Sequence, residues 1–353
     1  MKLLTRFIPL LMLAIFALLL GLWAGLLRLG WSLPAFPNLT LAHGPLMVSG
    51  FLGVLIPLER AVAIRQRWMF LVPILTGLGW MGLLIAPGVG ELLLTLGSLG
   101  TLAILIVMVR REPHIHTITV AFGALAWVIG NLLWVSGLPI YQIVTWWMAF
   151  LILTIGGERL EINRVLRTSP VQIRIFILGM AALFAGAMLA VFNLDGGARL
   201  SGLSMLVLSL WFLKNDLARL NIQHANPLTR YIAICLFSGF IWLGVGGVLQ
   251  LSVGATYAGP YYDAVLHVVF LGFVMSMIFG HAPIIFPAIL GVPINFHPAF
   301  YGHLVLLHLS LLLRVAGDLT DQLEIRRLGG LLNEVAILLF LGMTVYSIIK
   351  GKG

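Results

Sequence analysis

Apolar stretches of 15 to 24 residues recur twelve times along this chain, near residues 7–28, 42–64, 69–86, 91–109, 117–136, 139–157, 173–193, 199–213, 230–253, 260–282, 298–316 and 328–348. Roughly 20 apolar residues in a row are what a helix needs to cross a bilayer. Hydrocarbon offers no water to a bare backbone, so such stretches fold as helices that bond their own peptide groups. The pattern predicts an all-α polytopic membrane bundle of about twelve transmembrane helices, a single integral membrane domain over residues 1–353. Composition agrees: 61% of the residues are hydrophobic and 9% are charged, where a soluble domain carries about a quarter charged residues.

The first stretch follows Lys2 and Arg6 and resembles a signal peptide in that respect alone. Its length suits a span, and no small-residue cleavage motif follows, so it reads as a retained first helix. The formal charge of +9 is explained by topology rather than by nucleic acid. With the N-terminus inside, 16 of the 21 Lys and Arg residues fall in inside segments and five outside: Arg28, Arg199, Arg314, Arg326 and Arg327. This is the asymmetry of the positive-inside rule. It places both termini in the cytoplasm and the chain in a bacterial-type inner membrane, in contact with the lipid bilayer and not with nucleic acid. The single cysteine, Cys235, excludes a disulfide framework and a CxxC pair.

An internal repeat runs through the spans. The second ends GVLIPLERAV, with Glu59 and Arg60; the sixth ends LTIGGERLEI, with Glu158 and Arg159. The tenth has His267 near its start, as the second has His43. Four helices repeated three times would make a pseudo-threefold bundle. The two Glu-Arg pairs read either as interfacial ion pairs or as a carboxylate entry for protons or a quinol. No Walker loop, GxGxxG loop, GxSxG elbow or HExxH helix is present in a plausible context, which leaves no basis for nucleotide hydrolysis or proteolysis.

Ionisable groups at membrane depth are costly and default to functional candidates. Six of the nine histidines, His43, His267, His281, His297, His303 and His308, fall in or at the ends of spans. His43 and His267 lie at like ends of helices running in the same direction. Neutral imidazole ligates haem iron, copper or zinc, and two histidines on separate helices suit the two faces of one haem. Gly44, Gly50, Gly53 and Gly272 nearby would let a macrocycle approach, or let helices pack closely. Asp263, one turn before His267, suits an acceptor for the ring's second N–H, or an interfacial carboxylate. Arg314, Arg326 and Arg327 suit haem propionates, or salt bridges with Asp318, Asp321 and Glu324. His281, His303 and His308 form a second metal-ligand group, for another haem or copper, or make ordinary interhelical hydrogen bonds.

The segments HGPLMVSGFLG at the second span, LHVVFLGFVMSMIFGHAP at the tenth and LLLRVAGDL closing the eleventh resemble the NnrS family of haem- and copper-containing membrane proteins. More distantly they resemble subunit I of the haem-copper oxidases. The resemblance implies about twelve spans, a haem b held by His43 and His267, and Arg326 and Arg327 near its propionates, with copper as a further cofactor. It implies a redox partner, a quinol or a cytochrome or cupredoxin. It also implies a nitric-oxide-related redox or electron-transfer role. The sequence departs from the pattern in two places. Pro45 stands where the second-span motif usually has a second histidine. The sixth and seventh spans carry no histidine for an oxidase copper, with Tyr141, Gln142 and Trp147 the nearest polar or aromatic residues. A haem-copper oxygen reductase is therefore not expected. The reading from another class is a metal-ion or proton-coupled transporter that uses the intramembrane histidines, with GHAPIIFPAILGVP as a broken helix near its site.

Overall fold

The computed structural model describes residues 7–166, 168–290 and 295–350. Lys2, Arg6, Arg167 and Lys352 of the charge count lie outside the described residues. Twelve helices among the described residues are long and apolar enough to cross a membrane. They are α1 (Ile8–Arg28), α2 (His43–Ile64), α3 (Arg67–Ile85), α4 (Pro87–Arg111), α5 (Ile115–Val135), α6 (Ile140–Leu166), α7 (Pro170–Phe192), α8 (Leu194–Asn215), α9 (Pro227–Val253), α10 (Pro260–Pro287), α11 (Phe300–Leu319) and α12 (Leu323–Ile349). No strand occurs among the described residues. The protein is an all-α multi-pass membrane protein. Large apolar side chains stand fully out of the packing, Ile85 and Phe192 among them. That surface suits lipid and would aggregate in water.

The helices sort into two compact units. One comprises Met1–Pro139 with Ile285–Gly291, the other Ile140–Ile284 with Val292–Gly353. In the first unit α1 packs against α2, and α3 against α4 and α4 against α5. In the second, α7–α8, α8–α9 and α11–α12 are the closest pairs. Glycines set these crossings, as lipid supplies no hydrophobic force between helices and backbones must touch. A Cβ on Gly329 would sit 2.5 Å from the Arg314 nitrogen, and one on Gly317 would sit 2.4 Å from the Arg326 nitrogen. The α11–α12 crossing is thus glycine against arginine backbone on both sides.

Helix ends differ from the sequence expectation where polar residues belong to a helix. The eighth span begins at Leu194, not near 199, because the Asn193 side chain accepts from the Gly196 N–H (3.0 Å) and caps it. Its Gly197 is there for contact with Ala190 of α7, not for a loop. The sixth continues past residue 157 because Arg159 is buried and bound. The guanidinium donates to both oxygens of Asp216 (2.8 and 2.7 Å), and Asn163 adds a third bond to that carboxylate (3.0 Å). The twelfth begins at Leu323, so Arg326 and Arg327 lie on its first turns rather than in a preceding loop. The GHAPIIFPAILGVP stretch is continuous helix from Ser276 to Leu290, and its last three residues fall in the undescribed 291–294 segment.

Two spans are not uniform. In α2, residues Leu46–Leu52 form a π-helix, and in α10 residues Val268–Met275 do so. The first begins three residues after His43 and the second directly after His267. A π-turn holds one extra residue and turns every later side chain relative to the earlier ones; such turns concentrate at functional sites. In α2 the irregularity ends at Gly53, whose carbonyl has no donor four residues on because Pro57 stands there.

Candidate functional site

His43 occupies the first turn of α2, partly buried. Its Nδ1 lies 2.7 Å from the Gly21 carbonyl of α1. A carbonyl only accepts, so Nδ1 carries the ring proton and Nε2 keeps the lone pair. Beyond His43, the widened turn is packed by Trp127 of α5, which donates to the Ser49 hydroxyl (3.0 Å). A Cβ on Gly53 would meet the same indole at 2.6 Å. Gly50 faces Ala17 and Trp80. These glycines make room for helices and tryptophans.

His267 repeats this arrangement in the other unit. Its Nδ1 lies 2.8 Å from the Asp263 carbonyl and 3.3 Å from Asp263 Oδ1. The proton again sits on Nδ1, shared between carbonyl and carboxylate, and Nε2 keeps the lone pair. Asp263 is held by Arg314 of α11, whose Nε and Nη2 donate to the two carboxylate oxygens at 2.7 and 2.8 Å. Beside this fork stands Asp318, fully buried and 3.6 Å from Arg326 Nη1. Arg327 donates to Glu324 one turn away (3.1 Å). The structure therefore gives each of Arg314, Arg326 and Arg327 a carboxylate from the protein itself. Gly272 is covered by Trp242 of α9, 2.5 Å from where a Cβ would lie.

The remaining histidines divide by tautomer. His281 Nδ1 lies 2.7 Å from the Met277 carbonyl one turn back, so it too presents Nε2. His308 is set the other way. The indole N–H of Trp242, a donor only, points at His308 Nδ1 from 2.9 Å. The neutral ring must then carry its proton on Nε2, and neither nitrogen has a lone pair to spare for a metal. His303 is buried among Phe279, Phe300 and Phe340, with Nε2 2.9 Å from the Tyr231 hydroxyl. His297 is exposed at the α11 entrance and accepts from the Ala299 N–H through Nδ1. Among the described residues no three His, Cys, Asp or Glu side chains converge as a metal donor set. Glu59 and Arg60 lie 4.0 Å apart near the C-terminal end of α2, while Arg159 is tied to Asp216.

Sequence reasoning missed Asp216, Tyr231 and Trp242. Asp216 ends α8 among Lys214, Asn215 and Arg219 and reads as loop. The two aromatics read as ordinary core. Only the partner brought by another helix gives each its role.

One family model covers nearly the whole chain: Domain of unknown function (DUF8744) matches residues 6–349. The chain belongs to the DUF8744 family. The match takes in all twelve helices and both histidine–π-helix elements, so these lie inside the DUF8744 domain rather than in an appendage. No curated protein matches the chain.

Proposed function

We propose that this protein is a b-type haem protein of the inner membrane, with His43 and His267 as the two axial ligands and a role in electron transfer or nitric oxide chemistry. The observation that carries the reading is the matched setting of the two rings. His43 opens its span and His267 lies two turns into its own; each ring has Nδ1–H fixed on a carbonyl at 2.7 or 2.8 Å and leads into a π-helix. Fixing Nδ1–H on an acceptor is how proteins prepare an imidazole to bind metal through Nε2. A bis-histidine haem asks for two such nitrogens, one from each ring. When bound, haem supplies a one-electron carrier. The chain supplies ring orientation; with Arg314 forked onto Asp263, Arg326 and Arg327 would have to exchange Asp318 (3.6 Å) and Glu324 (3.1 Å) for the propionates. A quinol, a cytochrome or a cupredoxin is the partner class that chemistry asks for.

Absorption spectra of the protein purified from haem-replete cells test this. The oxidised protein should show a Soret band, and the reduced protein should show α and β bands that carbon monoxide leaves unchanged. His43→Ala and His267→Ala should each remove the six-coordinate spectrum. A colourless wild-type protein sinks the reading.

A further inference from the structure

Resting on that haem reading, we infer that Arg314 is a positioning residue that sets the donor strength of the His267 ligand by way of Asp263. The geometry is a three-member relay across two helices. The His267 Nδ1–H has two acceptors on Asp263, the carbonyl at 2.8 Å and Oδ1 at 3.3 Å. Both carboxylate oxygens also take a guanidinium N–H from Arg314, at 2.7 and 2.8 Å. The Arg314 side chain is 8% exposed and that of Asp263 21%, so water screens the pair weakly. With two of its N–H groups spent on one carboxylate, Arg314 is no longer the residue to meet a propionate.

The consequence is electrostatic. A carboxylate beside a ligand's Nδ1–H pushes electron density toward Nε2 and favours the oxidised metal. A guanidinium forked onto that carboxylate withdraws part of the charge and favours the reduced metal. Asp263 and Arg314 therefore act on His267 with opposite sign. The setting is rigid, because Gly329 brings α12 against the Arg314 backbone. Asp318, beside the fork, lies 3.6 Å from Arg326, so further acid and arginine side chains surround the relay.

A brace between α10 and α11 would use the same contacts, so the test needs a readout that bracing leaves alone. The haem midpoint potential is such a readout, taken by spectroelectrochemical titration of the purified protein at one pH. Arg314→Gln should shift the midpoint negative, Asp263→Asn should shift it positive, and Arg314→Lys should lie between Arg314→Gln and wild type. Shifts of one sign in the first two variants, or none, overturn the relay while the haem reading stands. A wild type without haem overturns both. Should Arg314→Gln fail to fold, Asp263→Asn and Arg314→Lys carry the comparison, and a midpoint unmoved in both overturns the inference.

Discussion

A histidine becomes a ligand or a structural ring according to which nitrogen its neighbours leave with a lone pair. His43, His267 and His281 face carbonyls through Nδ1, and His308 faces an indole N–H. One hydrogen bond therefore separates rings of identical composition into two chemical kinds. The same scale governs the buried ion pair near the C-terminal end of α6. Arg159 is 4% exposed and Asp216 0%. Removing one partner strands a buried charge, which costs about 3–5 kcal/mol, whereas replacing both by apolar groups is close to neutral. Asp216→Ala should therefore lower the unfolding midpoint in detergent strongly. The double variant Arg159→Met/Asp216→Leu should recover most of the loss. A double variant at least as unstable as the single would show that the network's hydrogen bonds, not its charge balance, hold α6.

At the scale of elements, the π-helices decide where the two proposed ligands point. Deleting Val269 from the α10 π-turn should restore regular α-helix and rotate His267 by about 100° against the rest of the span, the angle of one residue in an α-helix. The Soret band should disappear while the elution volume in detergent stays that of wild type. An unchanged spectrum would mean that the turn does not aim the ring. The α11–α12 crossing gives a second expectation. Gly329→Ala places a methyl on the Arg314 backbone, and an overpacked crossing costs about 1–3 kcal/mol. Its midpoint of thermal unfolding should drop, and that of Gly342→Ala, on the same helix where a Cβ would meet nothing within 4 Å, should drop less.

These elements show what sequence carries. Span number and span centres were legible, because hydrophobicity over 20 residues is a long signal. The Asp263–His267 spacing was legible too, since residues four apart share a helix face. The π-turns were not, because one extra residue leaves an apolar run looking the same. Nor was the anchor of His43, whose Gly21 carbonyl comes from a different helix. The first turns of α8 and α12 look like loops for a similar reason. Asp195, Gly196, Arg326 and Arg327 are polar or small, and only a cap or a partner across the crossing shows that they are helical.

Across the whole molecule, the unequal distribution of cations predicts an orientation in the bilayer. Few Lys or Arg are expected on the outer side, yet four of the five assigned there by sequence have a job in the bundle. Arg199 binds Asp195 at 2.9 Å, Arg314 binds Asp263 at 2.7 Å, Arg326 lies 3.6 Å from Asp318, and Arg327 binds Glu324 at 3.1 Å. Arg199 and Arg327 meet a carboxylate on their own span, and Arg314 and Arg326 one on the preceding span, so the exceptions follow from packing and leave the count of the other loops intact. Reporter fusions therefore have a definite expected pattern. Green fluorescent protein, which fluoresces in the cytoplasm, should light up when fused after Pro113 or Gln223. Alkaline phosphatase, active only outside, should work after Ala35 or Tyr257. The reverse pattern would put His43, His267 and the arginine cluster on the cytoplasmic side. It would also direct the search for an electron donor to soluble cytoplasmic proteins instead of periplasmic ones.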